Sequence, residues 1–394
     1  MLFKTNNNMN FLYTAGTARG GTNYRTLILN NHSKISMSID PLIPLFHYYK
    51  KSLLSYNGRG ELLTNNYTNV IDDYFFDHSR IEVMKAIQES NPDVPFDMSG
   101  WSELKIKMKG RMSLASANLI PYLDEIPAPT FKEVFQNVIN IIERISTKEN
   151  LEWVGFNDNW TIEFFPLIAQ LFPKAKFMIH LRDPRAVVCS SEFAEPDPNK
   201  RPTILSFARH LRKYYAFVEY FKTISSLKGR LLVTYYESFI DFPEQETKKA
   251  LHFLGLDYEP QTININLFRK ATGEVWPSSP EVYKSSINIW ETQMPSEMAE
   301  LVEFICSPDM QIHGYTPKYY NELEGLSDNA YKYALDNFNN CLGWRTDFGE
   351  FSKTLGCEFN RKRLLMLNNL KTPQIEENFL FKTYYNKLKN LKDE

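Results

Sequence analysis

Short apolar runs alternate with longer stretches of helical periodicity through the first two thirds of the chain. The runs Phe11 to Thr14, Ile35 to Ile39, Trp153 to Phe156, Lys176 to Arg182 and Arg230 to Tyr236 predict strands, with helical patterns between several of them. That alternation predicts an α/β protein, a parallel β-sheet flanked by helices. Residues 50–150 interrupt it with a mostly helical insertion, in which the patterns at Ile81 to Ile87 and Phe131 to Ile145 are separated by proline-containing turns. A long helix is predicted from Pro202 to Leu227, and its stripe of Phe207, Tyr214, Tyr215, Phe217, Val218 and Phe221 reads as core packing. Another runs from Pro243 to Leu254, with proline at its start and Gly255 at its stop. Beyond Pro317 the pattern is polar and helical, down to a lysine-rich tail, Lys387 to Lys392, that reads as a solvated helix end.

The first predicted strand runs into Thr14-Ala15-Gly16-Thr17-Ala18-Arg19-Gly20-Gly21-Thr22-Asn23-Tyr24, after which a helix begins near Thr22. Gly16 and Gly21 have the spacing of a nucleotide-binding phosphate loop, yet Thr22-Asn23 replaces its Lys-Ser/Thr, so the γ-phosphate and magnesium contacts are missing. Glycines let a backbone turn tightly and aim several N–H groups at one point, and a helix N-terminus adds donors and a positive dipole end. The hydroxyls of Thr17 and Thr22, with Arg19, complete an anion cradle. An ordinary strand-to-helix turn uses the same residue types, and on this segment alone both readings stand.

A second anion signal follows the strand at Phe177 to Leu181, where Arg182-Asp183-Pro184-Arg185 opens a helix and Ser190 lies eight residues after Arg182. Ligands of open α/β sheets bind at the carboxyl ends of strands. Asp183 and Pro184 are also an ordinary helix start.

Composition adds bounds. In 394 residues, 43% hydrophobic, 45 basic and 47 acidic side chains nearly cancel, so no global charge favours nucleic acid or an anionic membrane and any anion site is local. Cys189, Cys306, Cys341 and Cys357 have no metal-ligand or disulfide-framework spacing, and the seven histidines show no two-histidine helical spacing. No metal site, membrane span or signal segment is expected, and a cytoplasmic setting is.

Taken together, these motifs resemble the PAPS-dependent sulfotransferase family. Arg19-Gly20-Gly21-Thr22-Asn23-Tyr24 is similar to its 5′-phosphosulfate loop, and Arg182 with Ser190 to its 3′-phosphate pair. Val233-Thr234-Tyr235-Tyr236-Glu237 and Phe253-Leu254-Gly255-Leu256 follow in the family's order, and Trp276-Pro277-Ser278-Ser279, Lys284-Ser285-Ser286, Trp290 and Gly314-Tyr315 resemble its cofactor-closing region more loosely. The resemblance covers residues 10–48 and 150–317.

The resemblance implies a divergent, bacterial-type sulfotransferase with a fold like that of phosphate-loop NTPases. Residues 1–317 would form the domain, the insertion would shape the acceptor pocket, and a helical extension, 318–394, would pack on it. Arg19, Gly20, Gly21, Thr22, Asn23 and Tyr24 would hold the 5′ end of PAPS, and Arg182 and Ser190 its 3′-phosphate. Tyr236 would lie near the adenine, with Trp276, Ser278 and Ser279 as weaker candidates. Arg19 would stabilise charge on the leaving oxygen, PAP would be the product, and no metal would be required.

Asp40, in Ser38-Ile39-Asp40-Pro41, is the first candidate for the base, against the alternative of an Asp-Pro turn residue. The family often carries a lysine in the segment matching Gly155 to Trp160, where this chain has none; Asn157 and Asp158 are its polar substitutes, and Asp158 is otherwise a helix cap. The acceptor would be a small molecule with a hydroxyl or amine, a guanidinium alkaloid of the saxitoxin type among the candidates beside sugars and lipids. The alternatives are a small-molecule kinase of the phosphate-loop type and a nucleotide-binding module without catalysis.

Overall fold

The computed structural model describes residues 10–63, 73–75, 78–194, 197, 201–268, 280–341, 349–367 and 370–391. Five strands, β1 (Asn10–Gly16), β2 (Ile35–Ile39), β3 (Trp153–Asn157), β4 (Lys176–Leu181) and β5 (Leu231–Tyr235), form one sheet in the order β2-β3-β1-β4-β5. The β1–β3, β1–β4 and β2–β3 pairs are parallel. The predicted strands are therefore present, each within two residues of its expected ends. Helices in order are α1 (Thr22–Asn31), α2 (Ile43–Tyr56), α3 (His78–Glu89), α4 (Trp101–Ala115), α5 (Phe131–Ile145), α6 (Phe165–Leu171), α7 (Pro184–Ala194), α8 (Ile204–Phe221), α9 (Tyr236–Asp241) and α10 (Pro243–Leu254). Later come α11 (Pro280–Ser285), α12 (Ile289–Gln293), α13 (Ser296–Cys306), α14 (Asp309–Ile312), α15 (Asp328–Asn340), α16 (Phe351–Met366), α17 (Thr372–Glu376) and α18 (Lys382–Asn390).

The chain divides into two compact units. The first comprises residues 1–70, 82–180 and 224–281; the second comprises 71–81, 181–223 and 282–394.

The sheet belongs to the first unit apart from Leu181, the last residue of β4. β1 to β4 are mostly buried and apolar, as expected where helices cover a parallel sheet, while β5 is largely half-buried. Tyr13 of β1 centres an aromatic cluster, with ring centroids 4.8 Å from Phe156 and 4.7 Å from Phe165, and its hydroxyl donates to the Thr161 carbonyl at 3.1 Å. The described residues of the insertion are mostly helical, and α3 and α5 cover the two patterns that predict helices there. α5 starts at a capping box in which Thr130 and Glu133 satisfy each other's backbone N–H.

β2 is an edge strand, and its outward backbone groups are occupied by side chains. Asn30 donates to the Met37 carbonyl at 2.8 Å and accepts the Met37 N–H at 2.7 Å. The Ser116 hydroxyl accepts the Ile39 N–H at 3.0 Å and donates to the Ile39 carbonyl at 2.6 Å, and Lys148 donates to the Ile35 carbonyl. Such an edge offers no template for pairing with another chain. Lys148 also donates to the carbonyls of Asn30 and His32, and burial lowers its pKa to about 8.

In the second unit, α8 buries its aromatic stripe as expected. It ends at Phe221 rather than Leu227, because the chain turns at Lys222 and Thr223 while Leu227 stays buried beyond the turn. It also buries Arg209, His210, Arg212 and Lys213. Arg212 chelates Asp73 and Glu358, its Nε lying 3.0 Å from Asp73 Oδ1 and its Nη2 2.9 Å from Glu358 Oε1. Arg209 Nε lies 3.3 Å from both carboxylates, and Arg361 bonds Asp309 at 2.9 Å and Glu358 at 3.4 Å. Three arginines thus face three carboxylates, all fully buried. In the lysine-rich tail Lys387 and Asn390 are exposed, as a solvated end would have them, but Leu388 is buried, and Lys392 lies outside the described residues. Lys387 pairs with Glu219 at 2.5 Å; earlier in α18, Tyr384 and Tyr385 are buried, and Tyr384 donates to Asp309 at 2.9 Å.

Candidate functional site

The cradle lies in the first unit, where β1 gives way to α1. Gly21 is the residue before the helix, at φ 82°, and α1 has neither a side-chain cap nor an acidic residue in its first turn. The loop closes tightly, the Gly20 N–H donating to the Thr17 carbonyl at 3.0 Å. A Cβ on Gly21 would lie 2.1 Å from the Tyr236 ring, and one on Gly16 would lie 2.7 Å from the His180 carbonyl, so both positions require glycine. Thr17 is buried, and its hydroxyl has no hydrogen-bond partner among the described residues. Thr22 is buried, Asn23 half-buried and Arg19 exposed. Tyr24 packs edge-on to Tyr236, ring centroids 6.5 Å apart. Tyr236, the first residue of α9, thus rests on the loop itself.

Among the described residues, three that are not glycine have left-handed backbones: Arg19 at φ 62°, Asp40 at φ 49° and Trp160 at φ 78°. They follow β1, β2 and β3 respectively, so the strained positions gather in the loops at the carboxyl edge of one sheet. Such conformations cost of order 1–3 kcal/mol each and persist where the surroundings over-determine them.

Asp40 is fixed from several sides. Its N–H donates to the Asn157 carbonyl at 2.6 Å, and its carboxylate accepts the Asn159 N–H at 3.1 Å and the Asn159 amide at 3.3 Å. Arg111 of α4 forms an ion pair with it at 3.1 Å. The Asn157 amide donates to it at 3.5 Å. Burial pushes the Asp40 carboxyl above its usual range, and Arg111 and Asn159 pull it back only in part. A carboxylate made more basic in this way is better matched to accepting a proton near neutral pH. Arg111 carries no signal in the sequence that marks it for this role, since 70 residues separate it from its partner and only the packing of the insertion brings it there.

Asp158 is fully buried, and burial together with the Asp40 charge raises its pKa well above the usual value. Its Oδ2 accepts the Leu42 N–H at 2.5 Å, which ties it to the turn that carries Asp40. It braces that turn, with Oδ1 lacking a partner among the described residues. His32 is structural, hydrogen-bonded to the Asp257 carbonyl at 2.9 Å and accepting the Lys34 N–H at 3.1 Å.

Sequence reasoning passed over Arg25, the fourth residue of α1. It is fully buried, and Nη2 donates to Asn157 Oδ1 at 3.0 Å, an oxygen that also accepts from Thr14 at 3.1 Å.

Arg182 and Ser190 lie in the second unit. Arg182 is buried directly after β4, donates to the Ser286 carbonyl, and accepts the Tyr215 hydroxyl on its own carbonyl at 3.0 Å. Ser190 is half-buried on α7. Asp183 starts α7 by accepting the Arg185 N–H at 2.8 Å. Arg185 is committed to structure: it bonds Asp183 and Glu303 and lies 3.8 Å over the Trp290 ring. Cys189 beside it is buried, which pushes its thiol up to about 11. Trp276, Ser278 and Ser279 lie outside the described residues.

No helix among the described residues is long and apolar enough to cross a membrane. No group of three or more His, Cys, Asp or Glu side chains suited to a metal occurs among them.

Residues 12–260, more than half of the chain, match the sequence model of the sulfotransferase family. A putative protein-tyrosine sulfotransferase of Caenorhabditis briggsae is 27% identical over 113 residues, covering 27% of this chain and 38% of the relative. A protein-tyrosine sulfotransferase of Drosophila melanogaster is 26% identical over 176 residues, 41% of this chain and 34% of the relative, so this chain spans little more than a third of the length of these relatives. Among solved structures, the sulfotransferase domain from the curacin biosynthetic pathway aligns with 83% of this chain and 97% of its own at 12% identity and TM-score 0.39. The motif order along the chain and the match over residues 12–260 agree, and the chain belongs to the sulfotransferase family.

Proposed function

We propose that this chain moves a sulfuryl group from PAPS to a hydroxyl or amine of a small-molecule acceptor. The observation that carries the reading is the cradle: a glycine-built loop, an uncapped helix N-terminus, and a buried Thr17 hydroxyl lacking a partner among the described residues. These are neutral donors and a dipole end suited to an anion, and the donor set fits a phosphosulfate. Thr22-Asn23 supplies neither the lysine nor the magnesium-binding hydroxyl pattern of a kinase loop.

When bound, PAPS supplies the activated sulfuryl group and leaves as PAP. Gly20, Gly21, Thr22, Asn23 and Tyr24 line or support the 5′ end, and Arg19 offsets charge developing on the leaving oxygen. Asp40 accepts the proton of the attacking group. Asp158 braces the Asp40 turn through the Leu42 N–H and is proposed, with Asn157, as a polar substitute for the family's lysine. Arg182 and Ser190 are proposed for the 3′-phosphate and Tyr236 for the adenine side, with Trp276, Ser278 and Ser279 as further candidates.

Titration calorimetry with PAP, and with ATP plus magnesium, tests the reading. Metal-independent binding of PAP supports it; magnesium-dependent ATP binding without PAP binding overturns it. An acceptor panel read by mass spectrometry then spans guanidinium alkaloids of the saxitoxin type, sugars, lipids and tyrosyl peptides. The last are a second reading favoured by the names of the curated relatives.

A further inference from the structure

An arginine wholly removed from water is ordinarily met by a carboxylate or by a full set of acceptors, because an uncompensated buried charge costs several kcal/mol. Arg25 has neither. Its side chain is fully buried, Nη2 donates to Asn157 Oδ1, and Nε and Nη1 have no partner among the described residues. No carboxylate among those residues forms an ion pair with it. Burial lowers its pKa to about 9, so it stays protonated at neutral pH. The contrast with the second unit is direct: Arg209, Arg212 and Arg361, equally buried, each pair with carboxylates.

Its position gives the charge a use. Arg25 is three residues into the helix whose N-terminus forms the cradle, about 4.5 Å along the axis from Thr22. Because guanidinium donates and never accepts, it and Thr14 fix which end of the Asn157 amide faces them. Oδ1 is held by these two donors, and Nδ2 is left to face Asp40. Asn157 itself is neutral and stands at the carboxyl end of β3, in the segment where the chain lacks a lysine.

We propose that Arg25 is a positioning residue of the sulfuryl-transfer site: it supplies from α1 the positive charge absent from the end of β3, and it orients Asn157 toward Asp40. In a low-dielectric interior an unneutralised cation acts over several ångströms, so its field favours anionic charge building up at the cradle. This inference rests on the sulfotransferase reading above.

The test relocates the charge. Arg25→Met is expected to leave the melting temperature unchanged or higher, because it removes an uncompensated buried charge, and to leave the PAP dissociation constant within threefold. Turnover with PAPS and an acceptor from the panel is expected to fall at least tenfold, in kcat rather than KM. Arg25→Met with Asn157→Lys, which returns a cation to the same strand end, is expected to recover at least half of that loss on a logarithmic scale. Unchanged turnover in Arg25→Met overturns the proposal, and so does a lowered melting temperature with no recovery in the double variant. If Arg25→Met does not fold, Arg25→Lys carries the decision: retained charge with retained turnover supports the proposal, and loss of turnover in the folded lysine variant overturns it. Absence of PAP binding in the unsubstituted protein would instead count against the sulfotransferase reading itself.

Discussion

Asp40 combines a left-handed backbone, an ion pair with Arg111 and a raised pKa, and each of these has a measurable consequence. Asp40→Asn is expected to reduce kcat by about 100-fold or more while PAP affinity is kept, since proton acceptance contributes on that scale. Unchanged turnover would remove the base assignment. The base works only when ionised, so activity should fall as pH falls through a pKa lying above the ordinary carboxylate range. Arg111 pulls that pKa down, hence Arg111→Met should shift the acid limb of the kcat–pH profile further upward; a downward shift would contradict the ion pair's role. Arg19 offers a complementary measurement. Arg19→Gly removes a left-handed strain of about 1 kcal/mol, so thermal stability should hold or rise while turnover is lost, the expected trade at a functional site.

Two elements carry the site, and both depend on close approaches. The β1–α1 turn exists because Gly21 lets the Tyr236 ring lie where a methyl group would be. Gly21→Ala is therefore expected to destabilise the fold by about 2 kcal/mol or more and to abolish PAP binding, measured by urea unfolding and calorimetry. Along β2, Asn30 satisfies both backbone groups of Met37. Asn30→Ala leaves them without that partner and should cost about 1–3 kcal/mol; a smaller loss would mean that water replaces the amide. The glycines were readable in advance, because a positive φ and a tight turn demand that residue. The capping of β2 by Asn30, Ser116 and Lys148 was not, since an asparagine on a helix looks the same whether it faces solvent or a strand.

At the scale of the molecule, the second unit is fastened by its buried arginine–carboxylate network, which joins segment 73–75, α8, α14, α16 and α18. Glu358→Gln removes one partner from several buried arginines and should cost about 3–5 kcal/mol. Arg212 and Arg361 hold the Glu358 carboxyl well below the usual range, against the opposing effect of burial. Its folded pKa being depressed, the stabilisation is fully present above the unfolded value of about 4.3 and is lost as pH falls below it. Unfolding followed by circular dichroism should therefore show a steeper acid loss of stability in the unsubstituted protein than in Glu358→Gln; equal slopes would mean the network is not the titrating element. The sequence by itself determined the strands, the helical insertion, the glycine loop and the motif order, because those are set by local periodicity, by turn sterics and by residue spacing. Tertiary structure alone decided that Arg25 meets Asn157, that Arg111 meets Asp40, that Asp158 is buried against the turn carrying Asp40, and that the charges of α8 are buried. Such properties depend on desolvation and on distances between residues far apart in the chain, quantities that no local pattern of residues encodes.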